Sequence, residues 1–238
     1  MLEYSLMRFD ILSVTPQALE SYFDTSVLGR AKERGLISVQ IHNVRNWAKG
    51  TYRQVDDRPY GGGAGMVLMA EPIIRVIEHV RSKDKPAEVR TKIIVLSAKG
   101  KPFNQKMAHG WAKKYQRLVL ISGRYEGIDE RVLKILHAEE ISIGPYVLTD
   151  GDAAAMVIIS AIARLVPGVI RLDSLKEESH WNLLLKKEKA ASLKQGLEYP
   201  HYTRPEVLEY KGKKYAVPKI LLSGNHKKIA DWREKHSP

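Results

Sequence analysis

The chain has 238 residues, 44% of them hydrophobic, which is enough for a sizeable buried core and excludes disorder as a global description. It contains no cysteine, which excludes disulfides, thiolate metal sites and a cysteine nucleophile, and the expected compartment is a reducing cytoplasm. A net charge of +12 points to a polyanionic partner, nucleic acid before an anionic membrane face, and the excess is densest in residues 167–238, with 15 basic against 9 acidic side chains.

The opening MLEYSLMRFDILSV lacks the basic segment and long apolar stretch of a secretory signal. RFDILSV (8–14) reads as a buried strand, followed by a helical stretch from Pro16 to Arg34 that ends at Gly35, a glycine placed to close a helix. LISVQIH (36–42) is the next strand, and Glu71 to Arg81 has helical periodicity with Pro72 in the first turn, where proline is tolerated. KIIVLS (92–97) and RLVLIS (117–122) are apolar without alternation, as expected of strands covered on both faces, with a helix from Asn104 to Tyr115 between them. A helix over 127–137, a strand over 139–143 and a helix from Asp152 to Leu165 follow. The greasiest run, AAAMVIISAIA (153–163), is about half of what a membrane span needs and runs straight into Arg164, so no membrane partner is expected.

Strands alternating with helices predict an α/β fold with a mostly parallel sheet. Pro167-Gly168 ends the last of these helices, giving a first domain over 1–166, a flexible linker over 167–182 and a small, mainly helical basic domain over 183–238. The helical signals of that domain are KKEKAASLK (186–194) and NHKKIADWREKH (225–236), the latter headed by the N-cap residue Asn225.

The segment VDDRPYGGGAGM (55–66) carries four glycines within 61–65 and invites a phosphate-binding reading. A Walker loop needs a lysine and a Ser/Thr after its last glycine, but Met66-Val67 follow, and the dinucleotide pattern of glycines also fails at Met66. What remains is a tight turn or a bare backbone surface for a flat ligand. Three other glycine-bearing turns follow apolar strands: SAKGKP (97–102), SGRYEGIDERV (122–132) and ISIGPYVLTDGD (141–152). Ligands of open α/β sheets sit at the carboxyl ends of strands, so these three loops together predict one small-molecule pocket built largely of backbone groups.

VDDRPYGGGAGM, LISGRYEGIDERV, SIGPYVL, RLVPGV, YPHYTRPEVL and LLSGNH, in this order and spacing, closely resemble the bacterial tRNA (guanine-N1)-methyltransferase family of the knotted SPOUT class, from Met7 to about Trp232. The resemblance implies a deep trefoil knot holding S-adenosylmethionine, and a homodimer with its active site at the subunit interface. It also implies methyl transfer to N1 of the tRNA guanosine just 3′ of the anticodon (position 37). Knots are essentially absent from ordinary folds, so that expectation rests on the resemblance alone.

By motif match the cofactor pocket comprises Leu96, Ser97, Gly123, Tyr125, Glu126, Ile143, Gly144, Tyr146, Leu148 and Gly151, the glycines letting adenine meet backbone. Glu126 either faces the sulfonium or a metal, or sits at a helix N-terminus against its dipole. Arg164 matches the family's catalytic arginine, a donor for the charge that develops on O6 as the N1 proton leaves. The family's base belongs to an Asp-Ser-aromatic triplet; Glu178-Ser179-His180 matches it best, which assigns the base to Glu178 with Asp173 and Glu177 as rivals. Substrate contacts fall to Asp56, Arg58 and Gly65 of the glycine segment and to PHYTRP (200–205) with the basic C-terminal lysines. Relatives need magnesium, although no acidic or histidine cluster in this sequence has ligand spacing. Pro145 and Asp150 replace the family's usual aspartate and glycine, and residues 183–195 include an insertion of about ten residues relative to the common pattern. These departures motivate the alternative of a relative that binds tRNA without turnover.

Overall fold

Two-sided burial of one strand organises the sheet. The strand Arg117–Ser122 is buried at every position. Its Leu118 and Leu120 pack with Phe9, Ile11, Ile94 and Leu96 on one face, while Val119 and Ile121 pack with Leu12, Ile93 and Val95 on the other. Successive side chains of a strand point to opposite faces, so a strand covered on both sides is apolar through its middle, here residues 118–121. The computed structural model describes residues 6–82, 89–171, 174–175 and 199–237, and the chain divides into two units, Met1–Ile170 and Arg171–Pro238.

In the first unit, β1 (Met7–Ser13), β2 (Ile37–Asn43), β5 (Thr91–Pro102), β6 (Arg117–Ser122) and β7 (Glu139–Ser142) form a five-stranded sheet in the order β2-β1-β6-β5-β7, with every neighbouring pair parallel. The expected parallel α/β sheet is present. Two short strands, β3 (Asp56–Asp57) and β4 (Val67–Leu68), pair separately as an antiparallel hairpin. Helix α3 (Ala70–Ser82) buries Ile73, Val76, Ile77 and Val80 on one face of the sheet, together with Val132 and Leu136 of α5 (Arg131–Leu136). The other face is covered by α4 (Gln105–Lys114), through Ala108 and Trp111, and by α6 (Asp152–Ala163), through Ile158, Ile159 and Ile162. Helix α4 starts where its cap dictates: Asn104 accepts a hydrogen bond from the Met107 amide at 3.0 Å.

Three elements depart from the sequence expectation. The helix expected from Pro16 to Arg34 is broken into a 3-10 turn over Pro16–Ala18, α1 (Glu20–Phe23) and α2 (Ser26–Glu33). Ser26 takes a φ of +55°, and a Cβ on Gly29 would lie 2.5 Å from the Asp24 carbonyl oxygen, so the chain crosses itself where only glycine fits. The break lets Phe23 and Leu28 reach the same core cluster. The helix expected over 127–137 shrinks to six residues because the segment before it pairs with β4. Leu68 N–H donates to the Gly127 carbonyl and Asp129 N–H to the Leu68 carbonyl, both at 3.0 Å. Third, β5 continues to Pro102 with a register shift against β7 between Leu96 and Lys101, so the turn expected at 97–102 is a bow within one strand.

The described part of the second unit holds a hairpin, a 3-10 turn over Lys219–Leu222 and a helix. β8 (Val207–Tyr210) and β9 (Lys213–Ala216) pair antiparallel around Lys211 and Gly212, both with positive φ, as a two-residue hairpin turn requires. All eight strand residues are exposed, so the sequence has no apolar alternation to betray them. Helix α7 (His226–His236) begins at the expected cap, with Asn225 accepting from the Lys228 amide at 3.1 Å. KKEKAASLK (186–194) lies outside the described residues. Among the described residues no helix is long and apolar enough to cross a membrane.

A buried charge cluster ties β1 to both of its neighbours. Asp10, 3% exposed, sits with its Oδ1 2.6 Å from His42 Nε2 on β2 and its Oδ2 3.1 Å from Arg117 Nε on β6. Arg117 Nη1 also donates to the Val80 carbonyl at 3.2 Å. Removing one partner of a buried pair strands the other charge, so Asp10→Ala is expected to lower unfolding stability by about 3 kcal/mol in a denaturant titration. An unchanged midpoint would show that the cluster is energetically idle.

Candidate active site

The carboxyl ends of β5, β6 and β7 open onto a cleft of about 410 Å³, within the size range of small-molecule sites. All ten residues assigned to the pocket from the sequence line it: Leu96 and Ser97 from the bow in β5, Gly123, Tyr125 and Glu126 after β6, and Ile143, Gly144, Tyr146, Leu148 and Gly151 between β7 and α6. The loops close on one another through backbone. Gly151 N–H donates to the Gly123 carbonyl at 2.7 Å, and a Cβ on Gly151 would lie 2.7 Å from Gly123 N and 2.9 Å from Ser122 Cα. A Cβ on Gly123 would lie 2.9 Å from the Leu96 carbonyl oxygen. These two glycines are therefore demanded by loop-to-loop packing before any ligand is considered. Between them the chain turns at Tyr125, a non-glycine residue with φ +59°, the kind of strained conformation that concentrates at functional loops.

The glycine segment forms the tip of the β3–β4 hairpin. Gly61, Gly62, Gly63 and Gly65 all have positive φ, and a Cβ on Gly61 or Gly62 would meet nothing within 4 Å, so backbone conformation alone requires glycine at those two positions. The strands are two residues long, too short to announce themselves in the sequence. Asp56 lies half-buried in β3, and Arg58 is exposed just beyond it, its amide donating to Asp57 Oδ1 at 2.7 Å. Gly65 is different: a Cβ there would lie 2.5 Å from Glu126 Cγ, and the Glu126 amide donates to the Met66 carbonyl at 3.0 Å. The hairpin tip and the cleft wall are thus stitched together, with the Glu126 side chain between them.

Several residues in and beside the site hold roles that the sequence did not disclose. Asp152, 4% exposed at the start of α6, accepts from Ser13 Oγ at 2.9 Å and Thr15 Oγ1 at 3.0 Å, and Arg124 Nη1 reaches Thr15 Oγ1 at 3.3 Å. This network locks the end of β1 to the cleft, and its one sequence signal was an acidic residue in the first turn of an otherwise apolar helix. Asp150, the departure from the family's glycine, precedes the cap residue Gly151 and accepts from the Asp152 amide at 3.0 Å, an Asx turn leading into α6. At the rim, Lys99 stands 3.5 Å from both Glu140 and Glu130, and Glu140 foremost pushes its pKa up. Asp129 is held below the usual carboxylate range chiefly by its hydrogen bonds from Arg131, whose Nε donates at 2.9 Å and Nη2 at 2.6 Å.

Arg164 is not among the residues lining the cleft. It caps the C-terminal end of the 12-residue α6, partly buried, whereas Gly151 caps the other end. At about 1.5 Å of rise per residue the two ends are roughly 20 Å apart. Glu178 and its rivals Asp173 and Glu177 lie outside the described residues. Among the described residues no group of three acidic or histidine side chains is placed to hold a metal ion.

The family model described as tRNA (Guanine-1)-methyltransferase TrmD matches residues 7–238. The chain belongs to the tRNA (guanine-1)-methyltransferase family. It is 48% identical over 227 residues to a tRNA (guanine-N(1)-)-methyltransferase of Thermomicrobium roseum, covering 95% of this chain and 77% of that one. The enzyme of the same name from Chloroflexus aggregans is also 48% identical over 227 residues, covering 95% of this chain and 81% of the relative. That from Clostridioides difficile is 43% identical over 235 residues, covering 97% and 92%. Membership of this methyltransferase family implies S-adenosylmethionine as methyl donor, and the cleft fits it. Leu96, Ile143, Leu148 and the half-exposed Tyr146 offer apolar surface for a flat base. The Tyr146 ring packs directly on Gly144, where a Cβ would collide with it, and the loop at Gly123 presents backbone donors and acceptors. Gly151→Ala is expected to force the β6 and α6 loops apart and to weaken S-adenosylmethionine binding at least about tenfold by calorimetry, since a contact of that closeness cannot relax within a packed turn. Wild-type affinity in that variant would remove the loop contact from the account.

Proposed function

We propose that this family member transfers the methyl group of S-adenosylmethionine to N1 of guanosine 37 of tRNA, in the cytoplasm, as a homodimer whose active site spans the subunit interface. The cleft residues Leu96, Ser97, Gly123, Tyr125, Glu126, Ile143, Gly144, Tyr146, Leu148 and Gly151 would hold the cofactor, which supplies an already electrophilic methyl when bound. The close passage of Gly151 across Gly123 supports a deep trefoil knot, because it sets the entry to α6 directly against the loop leaving β6.

The protein's own task is then to orient guanine and remove one proton. Arg164 donates to O6, where negative charge collects as the N1 proton departs, and Glu178 accepts that proton while the new N1–methyl bond forms. One observation carries the interface: Arg164 lies a whole helix away from the cleft of its own chain, so an arginine acting beside the methyl comes from the other subunit. Residues 1–166 form the methyltransferase domain, 167–182 a linker that brings Glu178 to the site, and 183–238 a tRNA-binding domain. Asp56, Arg58 and Gly65 stand on the substrate side. In the second unit, Tyr199, His201, Tyr202, Arg204 and Arg233 line a cleft of about 510 Å³, with the Arg233 guanidinium 4.6 Å from the Tyr199 ring centroid, a basic and aromatic surface suited to RNA.

Subunit complementation tests this reading. Arg164→Ala and Gly151→Val homodimers are each expected to lose about a hundredfold or more of turnover. Mixed dimers from co-expression regain one intact site, restoring about a quarter of wild-type activity to the population. Mixtures no more active than their parents would place Arg164 and the cleft in the same subunit's site.

A further inference from the structure

Tyr60 projects from the tip of the β3–β4 hairpin with its side chain 99% exposed. Single exposed apolar residues are ordinary on a protein surface, so it is the place of this ring and the groups around it that point to a ligand. Its root is nevertheless fixed. The hairpin is tied to the cleft wall by the Glu126 amide on the Met66 carbonyl and by the Leu68 amide on the Gly127 carbonyl, both at 3.0 Å, and Gly65 packs on Glu126 itself. The ring therefore stands on a hairpin that is anchored to the cleft wall.

Its surroundings select the partner. Arg58, two residues earlier, is exposed, and the side chain of Arg131, the first residue of α5, is 67% exposed while paired with Asp129. Arg131's guanidinium is stabilised first by Asp129, and the Tyr60 hydroxyl lies close enough to add to that effect. Next to the ring in the chain are Pro59, the glycines and Ala64, with no large apolar side chain until Met66. A protein-binding hot spot would sit within a shell of packed apolar neighbours. A lone ring over bare backbone, flanked by guanidinium groups, matches an unpaired nucleotide, whose base offers a flat face and whose phosphates offer charge.

We propose that Tyr60 is a stacking platform for an unpaired base of the RNA substrate, beside the guanosine that enters the cleft, with Arg58 and Arg131 taking the adjoining phosphates. This rests on the tRNA reading given above and adds a specific contact to it. Stacking and phosphate contacts separate by salt: a stacking residue alters affinity without altering the salt slope, whereas a phosphate contact alters both.

The test uses the full-length protein and a tRNA transcript. Tyr60→Ala is expected to raise KM for tRNA about tenfold, with Tyr60→Phe within about twofold of wild type. The salt slope of tRNA binding stays unchanged in Tyr60→Ala but falls by about one in Arg58→Ala. Calorimetric affinity for S-adenosylmethionine stays at the wild-type value in both Tyr60 variants, which shows the cleft intact. A wild-type KM in Tyr60→Ala, or an equal loss in Tyr60→Phe, overturns the platform. So does a Tyr60→Ala variant that loses self-association in sedimentation, since the ring would then belong to a contact between copies of the chain. A wild-type protein without methyl transfer to the transcript would bring down the functional reading itself, whereas an active wild type with an indifferent Tyr60→Ala brings down only the platform.

Discussion

One backbone hydrogen bond, from Gly151 N–H to the Gly123 carbonyl at 2.7 Å, holds the candidate site in its shape. It exists because neither residue has a side chain, and the space a Cβ would need on either is already filled by main chain. From this contact the rest follows in order. It seats the first turn of α6 against the end of β6, which brings Asp152 within reach of Ser13 and Thr15. Thr15 in turn receives Arg124 from the same loop as Gly123, and Glu126, two residues further on, meets Gly65 of the glycine hairpin. A cleft assembled in this way is rigid without a large apolar lining, because its geometry is set by main-chain contacts rather than by adaptable side chains.

The arrangement separates binding from proton chemistry. The cleft is walled by backbone, apolar surface and a strained tyrosine turn, with Lys99, Glu126, Glu140 and Asp150 among its charged side chains, and none of these is assigned the N1 proton. The arginine assigned to transition-state stabilisation sits at the opposite end of α6, and the assigned base comes later in the chain. Such a division is economical for methyl transfer, in which the donor brings its own reactivity and the protein contributes orientation and one charge-stabilising donor. It also makes oligomerisation part of the proposed reaction, because Arg164 lies a whole helix away from the cleft of its own chain.

How much of this the sequence disclosed depended on burial. RLVLIS revealed β6 because both of its faces are covered, and the strand-end rule then placed the cleft before any fold was known. The break between α1 and α2 was not legible, since a Gly29 that packs on a carbonyl looks like any glycine tolerated within a helix. β3 and β4 were too short for a pattern, and β8 and β9 too exposed for one. The glycines at 123 and 151 were read as room for adenine, whereas the structure first assigns them to contact between loops. Asp152 and Thr15 were missed because their pairing spans 137 positions in the chain and leaves no local trace. Glu178 rests on motif alone.

The proposed reaction places a single methyl on a single atom. A tRNA transcript with guanosine 3′ of the anticodon, reacted with this protein and S-adenosylmethionine, digested to nucleosides and oligonucleotides and read by mass spectrometry, reports that atom directly. The account predicts 1-methylguanosine in the fragment carrying position 37, and none when that guanosine is replaced by adenosine. A methyl on another nucleotide or another atom of guanine, or no methyl on a transcript that the protein binds, would contradict it.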